Sequence, residues 1–445
     1  MPKARPRPVL SVVDAVALTV GIVIGAGIFR TPSLVAANTG SEPLLLLTWL
    51  AGGLISLIGV LCYLELVTAY PHPGGEYHYL RRAFGNHTAF LFAWTRMTVM
   101  QTGSMALLAF VFADYAAILW PGIGALAYAG GAVLLFTLLN MAGLRGSSNT
   151  QRLLCTVTIV GLVALIVVGL TLAEPAVTTM PMEREHNGTP LLGMAMIFVL
   201  LTYGGWNEAA YLSAEVRDGR RNMVRALLWS IAIITALYLL LNLAFLRALG
   251  LDGLAASEAP AATLGAAAAG PLGGQSVSLL IALVALASLN VTIFTGARSN
   301  YALARDYRLF RFLGYWQPHN NTPLTALALQ GAIALALVLL GSTTGRAGFE
   351  TMVDYISPVF WLFFLLTGCS LLVLRFRDPK RPRPFRVPLY PLVPLLFCLS
   401  CGYLLYASLS YTGIGALVGV LVLGCGLPVL LLANRLQGRQ PASGS

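Results

Sequence analysis

Two short runs break an otherwise uniform apolar pattern: Gly21-Ile22-Val23-Ile24-Gly25-Ala26-Gly27-Ile28-Phe29 and Thr202-Tyr203-Gly204-Gly205-Trp206-Asn207. Each lies in the middle of a stretch apolar enough for a membrane helix. Glycine lowers the cost of leaving helical geometry, and backbone left unpaired at membrane depth must be buried or line a cavity. A single GxG reads equally well as close packing of small residues between helices. Two such runs, in the first and sixth apolar stretches, read as a pair of interrupted helices. A half-helix beginning after Gly25 offers free N–H groups and a positive dipole end, which suits a carboxylate. One ending near Leu201 offers free carbonyls, which suit an ammonium. A zwitterion satisfies both, and the arrangement is that of inverted-repeat carriers.

Catalytic chemistry has no comparable support. His72, His78, His87, His186 and His319 fall in loops or at the ends of apolar stretches. No HExxH is present, and no Ser/His or paired-Asp arrangement stands out at depth, so no enzyme and no cofactor are expected. The six cysteines, Cys62, Cys155, Cys369, Cys398, Cys401 and Cys425, sit in apolar runs as small hydrophobes. Cys398 and Cys401 share a helix face, yet no neighbouring His or acid completes a metal set. Charged residues within apolar stretches are costly. Glu65, Arg96, Asp114, Glu208 and Glu215 form that short list, and ion pairing is the expectation for each, with arginine near Glu65 and Glu215.

The elements that must position these groups follow from composition. Of 445 residues, 57% are hydrophobic and only 10% charged, with a mean hydropathy of +0.78. A soluble globular protein carries about 25% charged residues, so a bilayer is the solvent here. Twelve spans are expected: Val12–Ala36, Leu44–Val67, Phe90–Ile118, Ile123–Met141, Leu153–Leu172, Leu191–Ala214, Ala226–Leu249, Gln275–Leu303, Thr325–Leu340, Met352–Leu374, Val387–Leu409 and Gly413–Leu432. With a cytoplasmic N-terminus, 23 of the 28 lysines and arginines fall on the inner side and four (Arg30, Arg184, Arg247 and Arg346) on the outer. The positive-inside rule thus fixes the orientation, places both termini in the cytoplasm and accounts for the +11 net charge without nucleic acid. The basic, proline-rich start from Met1 to Pro8 precedes an apolar run too long for a signal-peptide core, so no cleavable leader is expected. Glu174–Pro190, with an Asn187-Gly188-Thr189 acceptor pattern, and the Ala/Gly-rich Gly250–Gly274 are expected as outer segments.

Over nearly 400 residues the chain resembles the amino acid–polyamine–organocation permeases, and among them the L-type amino acid transporters and their bacterial relatives. The resemblance is carried by Gly25-Ala26-Gly27-Ile28-Phe29, by Glu65 with Pro71-His72-Pro73-Gly74-Gly75-Glu76-Tyr77, and by Tyr203-Gly204-Gly205-Trp206-Asn207 with Glu215-Val216-Arg217-Asp218. Ser288-Leu289-Asn290, Phe294, Arg298, Leu374-Arg375 and Pro384-Phe385 continue it. It implies an all-α integral membrane protein of twelve transmembrane helices. A LeuT-type five-plus-five inverted repeat would span about 11–172 and 191–374, with helices one and six discontinuous, and two C-terminal helices would follow at about 387–433. One membrane transporter domain would fill the chain, multi-pass in the cell (inner) membrane.

By the same resemblance the substrate carboxylate rests on N–H groups of Gly25, Ala26 and Gly27, and its ammonium on carbonyls of Val23, Leu201 and Gly204, with Asn207 beside them. Main-chain contacts accept any α-amino acid and leave selectivity to side chains. Leu201 replaces an aromatic gate and offers no ring face. Ile356 and Phe360 make an apolar wall, favouring neutral L-amino acids; Gln101 and Ser104 are the polar contacts, with packing the open alternative. Many relatives carry a lysine seven residues after the position of Gln151; this chain has Thr158 there. Thr158, Ser288 and the carbonyls of Gly21 and Ile24 could supply oxygens to Na⁺, whereas simple exchange needs none of them and is favoured. Ion- or proton-coupled symport and a non-transporting amino acid sensor are the alternatives. No cysteine lies in Trp120–Gly122, so no disulfide-linked heavy chain is expected; the partners are an amino acid and the lipid bilayer.

Overall fold

The computed structural model describes residues 12–72, 74–143, 148–171, 191–207, 219–317, 322–343, 347–411 and 414–437. Fifteen α-helices run through them, and the only β-type pairing among the described residues is an isolated bridge between Gln317 and Thr322. Glu174–Pro190, Glu208 and the Glu215–Asp218 motif lie outside the described residues.

Eight helices among the described residues are long and apolar enough to cross a bilayer. They match eight of the twelve expected spans. The other four expected spans coincide with shorter or divided helices. Val12–Ala36 is split into α1 (Val12–Val23), a 3-10 turn at Ala26–Phe29 and α2 (Thr31–Thr39). Ala125–Met141, Thr156–Thr171 and Leu192–Tyr203 are apolar but short. The Ala/Gly-rich Gly250–Gly274, expected as an outer segment, has regular structure. It is helical on both sides of a break at residues 257–259, because alanine is the strongest helix former. Positive-φ glycines at Gly250 (φ 66°) and Gly270 (φ 67°, followed by Pro271) turn the chain within it.

The chain divides into two compact units. The first comprises residues 1–83, 152–284 and 361–411. It holds α1, α2, α3 (Glu42–Ala69) and α4 (Gly75–Phe84), and continues through the helices of its second and third segments. Helix α3 starts with an acid at Glu42 and a proline at Pro43 in its first turn, both favourable at a helix N-terminus. At 28 residues it is about 42 Å long, more than the ~30 Å hydrocarbon core needs. The second unit comprises residues 84–151, 285–360 and 412–445. It contains α5 (Asn86–Thr95), α6 (Gln101–Leu119) and α7 (Ala125–Met141). The later helices, numbered in chain order, are α8 (Ser148–Thr171), α9 (Leu192–Tyr203), α10 (Gly219–Ala256), α11 (Pro260–Asp306), α12 (Leu324–Thr343), α13 (Gly348–Arg377), α14 (Leu392–Tyr411) and α15 (Ile414–Gln437).

Within the first unit, α10 packs on α1, α2 and α3, while α9 packs on α2, α3 and α14. Helix α3 is stippled with glycines for this purpose. A Cβ at Gly52 would overlap Val199 of α9, one at Gly53 would lie 2.5 Å from the Thr235 hydroxyl of α10, and one at Gly59 would lie 2.9 Å from the Trp206 ring. Small residues let backbones approach where helices have no hydrophobic drive to associate in lipid. Within the second unit, α6, α7 and α12 pack mutually and α15 packs on α5. A π-helical stretch at Arg96–Met100 joins α5 to α6. There the Thr98 carbonyl accepts hydrogen bonds from Tyr355 (2.7 Å) and Thr102 (2.7 Å). Such a bulge releases carbonyls from the i+4 ladder, and the tyrosine uses one.

Candidate binding site at two helix ends

The first helix interruption is built from few bonds. Helix α1 ends at Val23, and the Ile24 N–H still donates to Val20 O at 2.8 Å. The next donor deserts the ladder: the Gly25 N–H turns back to Val23 O at 2.8 Å, so Gly21 O loses its i+4 partner. Gly25 itself is extended (φ −90°, ψ −177°), a conformation open to any residue. Nor does packing demand glycine, since a Cβ added at Gly25 or Gly27 would meet no atom within 4 Å. Neither strain nor crowding explains two glycines here. The space beside both glycines is open among the described residues. Ala26 is fully buried, leaving its N–H as the group it can offer.

The second helix end differs. Helix α9 stops at Tyr203, where the Gly204 N–H donates to Leu201 O at 3.1 Å and Gly205 takes φ 104°, a left-handed geometry that favours glycine. A Cβ at Gly204 would lie 2.8 Å from Leu201 O. The side chains around these glycines are anchors. Tyr203 donates to Trp49 O (3.1 Å), and Trp206 is buried edge-on against Tyr63 (4.9 Å between centroids) and Phe364 (5.5 Å). Asn207, expected to face a ligand, is buried, and its amide lies 3.4 Å from Glu76 Oε1, which also accepts from the Tyr63 hydroxyl at 2.5 Å.

One residue that the sequence reading passed over joins the two ends. Tyr238 of α10 is fully buried, with its hydroxyl 3.2 Å from Val23 O and 3.2 Å from Thr202 O. Its ring stacks edge-on with Trp49 (5.5 Å) and Tyr203 (5.0 Å). A buried phenol needs a hydrogen-bond partner, and that demand was the available signal. A second tie runs between hydroxyls, Thr202 Oγ1 lying 2.8 Å from Thr31 Oγ1. Arg30, buried at the start of α2, donates to the carbonyls of Glu258 (2.5 Å) and Ser257 (3.3 Å). It is a clasp on the α10–α11 break.

The candidate site is thus made of backbone, with glycine-lined space at one helix start and carbonyls at two helix ends. A profile described as Amino acid permease matches residues 10–421. The chain belongs to the amino acid permease family. It is similar to the b(0,+)-type amino acid transporter 1 of Mus musculus, at 31% identity over 90% of this chain and 82% of that one. The Homo sapiens protein of that name is 30% identical over 90% of this chain and 82% of its own. The large neutral amino acids transporter small subunit 2 of Homo sapiens is 29% identical over 95% of this chain and 80% of the relative. With its long apolar helices, this permease is a multi-pass membrane protein.

The other expected positions of the permease fall as follows. Gly21, Ile24 and Thr158 lie in the first unit, Ile24 and Thr158 buried. Ser288 lies in the second. Gln101, Ser104, Ile356 and Phe360 are also in the second unit, and three of them have structural occupations there. Gln101 Nε2 donates to Thr292 O at 2.9 Å, the Ser104 hydroxyl bonds its own helix at Met100 O (2.8 Å), and Ile356 is buried where a Cβ on Gly103 would lie 2.6 Å from its Cγ1.

Charged groups resolve more sharply. Glu65 is fully buried, as costly as expected, and is paired. Arg375 grips it with two N–H groups (Nε to Oε1 2.7 Å, Nη2 to Oε2 2.5 Å), Arg383 adds a third at 3.1 Å, and the Val387 N–H a fourth at 2.7 Å. Arg375 and Arg383 were not singled out as its partners in the sequence. On α4, too short to cross a bilayer, the His78 ring stacks on His72 (4.1 Å, 8°). Burial first, then the charges of His72, Arg82, Arg81 and Arg381, push its imidazole down to about 4.

Proposed function

We propose that this permease is a secondary active amino acid transporter, an alternating-access exchanger of neutral L-amino acids. The observation that carries the reading is the pair of helix ends tied by Tyr238, one of them fronting open space at Gly25 and Gly27. The substrate carboxylate takes the N–H groups of Ala26 and Gly27, since the Gly25 N–H is engaged with Val23 O. The ammonium takes carbonyls at Val23, Leu201 and Gly204. The relatives named above, an amino acid transporter and a neutral amino acid transporter subunit, support this substrate class. A LeuT-type arrangement of twelve spans, helices one and six discontinuous, in the cell membrane with cytoplasmic termini, accommodates it.

Neutrality follows from what is missing. No acid or base stands among the residues assigned to the side-chain wall, and a buried ionic side chain left unpaired costs several kcal/mol. Coupling follows similarly: with threonine at residue 158, a lysine-borne proton switch has no lysine. The test is counterflow in proteoliposomes loaded with leucine or alanine. Exchange that proceeds equally with and without Na⁺, and resists competition by arginine and glutamate, is the expected result. Uptake that requires a sodium gradient and disappears in Thr158→Val would replace exchange by symport. Binding without flux would make the protein a sensor.

A further inference from the structure

The segment between α13 and α14 folds back against the ends of α3 and α4, and beside it lies a cavity of about 310 Å³ lined by Arg82, Arg377, Asp378, Pro379, Lys380 and Arg381. Four cations face one carboxylate. Each guanidinium is held from one side. Arg377 Nη1 donates to Ala83 O at 2.9 Å, Arg381 Nε to Ala69 O at 3.0 Å, and Arg82 Nη2 to Asp378 Oδ2 at 3.2 Å. The Arg82 and Arg381 guanidinia also lie 4.9 and 4.7 Å from the centre of the Tyr70 ring. These ties spend one of the five N–H groups that each arginine owns. Asp378 is doubly engaged, accepting from the Tyr70 hydroxyl at 3.0 Å as well as from Arg82. Lys380 is exposed and has no hydrogen bond or ion pair among the described residues.

Such a pocket has positive charge, spare donors and arms already positioned, so an anion binding there orders little that is not ordered already. Tetrahedral oxyanions match the arginine fork. The flanking residues say which kind: Phe376, immediately before Arg377, is 88% exposed, and Leu389 on the same segment is 73% exposed. Neither belongs in water, and both suit acyl chains. We propose that this pocket binds a phosphate group, carried by an anionic phospholipid whose chains run past Phe376 and Leu389. Basic pockets at the ends of membrane helices favour lipid headgroups in this way. The proposal is independent of the transport reading.

Native mass spectrometry of the full-length protein, titrated separately with phosphatidylglycerol, phosphatidylcholine and inorganic phosphate, tests it. Phosphatidylglycerol should remain bound several-fold more than phosphatidylcholine. Lys380→Glu, which breaks no contact, should weaken that retention about tenfold, the loss of one charge-assisted contact. Arg435→Glu, the same charge change at the end of α15, should leave it unaltered. Equal retention of the two lipids, or equal effects of the two variants, overturns the site. Inorganic phosphate binding as tightly as phosphatidylglycerol overturns the lipid assignment in favour of a free oxyanion.

Discussion

At the scale of single residues, Gly25 gives the cleanest separation of folding from binding. Its backbone is compatible with alanine and the space beside it is open. Gly25→Ala should therefore leave the fold intact, or stabilise it by about 0.4–1 kcal/mol through the unfolded chain. The new methyl occupies the room assigned to the carboxylate, and substrate affinity should fall on the order of tenfold, one charge-assisted contact. Thermal shift with and without leucine reads both effects, and unchanged leucine stabilisation would remove Gly25 from the site. Tyr238→Phe tests the tie. Losing the hydroxyl should cost about 1 kcal/mol and slow counterflow, measured as apparent melting temperature and initial exchange rate. The glycines were legible in sequence because their chemistry is local. Tyr238 was not, since its partners lie 215 and 36 positions away, and the contact between the Asn207 amide and Glu76, 131 residues distant, was hidden for the same reason.

At the scale of elements, the fully buried Glu65 carboxylate fastens α3 to the end of α13 and to the segment that follows it. Glu65→Gln strands two guanidinium groups there and should cost about 3–5 kcal/mol, as broken buried pairs do. The neighbouring Arg82–Asp378 pair has both side chains more than a third exposed, and Arg82→Ala should cost under about 1 kcal/mol. Limited proteolysis within residues 378–391 distinguishes them: fast cleavage in the first variant, little change in the second. Helix α4 carries a pH dependence. The His78 imidazole is held at about 4, below the unfolded ~6.5. The unfolded chain therefore binds the extra proton between those values, and stability present above pH ~6.5 is lost as pH falls towards 4. Melting curves from pH 7.5 to 4.5 should show this slope and lose part of it in His78→Gln. That Glu65 needed a partner could be read from its cost in lipid. Which arginines serve could not, because they follow 310 and 318 residues later.

At the scale of the whole molecule, hydropathy revealed long helices well and interrupted ones less well. Composition distinguishes a membrane solvent from water, but in an Ala/Gly-rich stretch such as Gly250–Gly274 alanine favours helix and glycine breaks it, so the turns at Gly250 and Gly270 are not read from composition. The charge distribution makes a global prediction. Lys380→Cys, compared with the unsubstituted protein and its own cysteines, should add a site that resists membrane-impermeant maleimide in intact cells and reacts after permeabilisation; added labelling in intact cells would invert the orientation. Tyr238 carries one further consequence. Its hydroxyl owns a single proton and stands equally far from two acceptors, so Val23 and Thr202 share it, each holding it more weakly than a sole acceptor would. Equal distances leave that sharing nearly balanced, and a balanced sharing is tipped by small inputs. An ammonium bound at the Val23 carbonyl, as proposed above, would satisfy that acceptor from outside and release the proton towards Thr202, so that occupancy at one helix end would be registered at the second without any chain having to move.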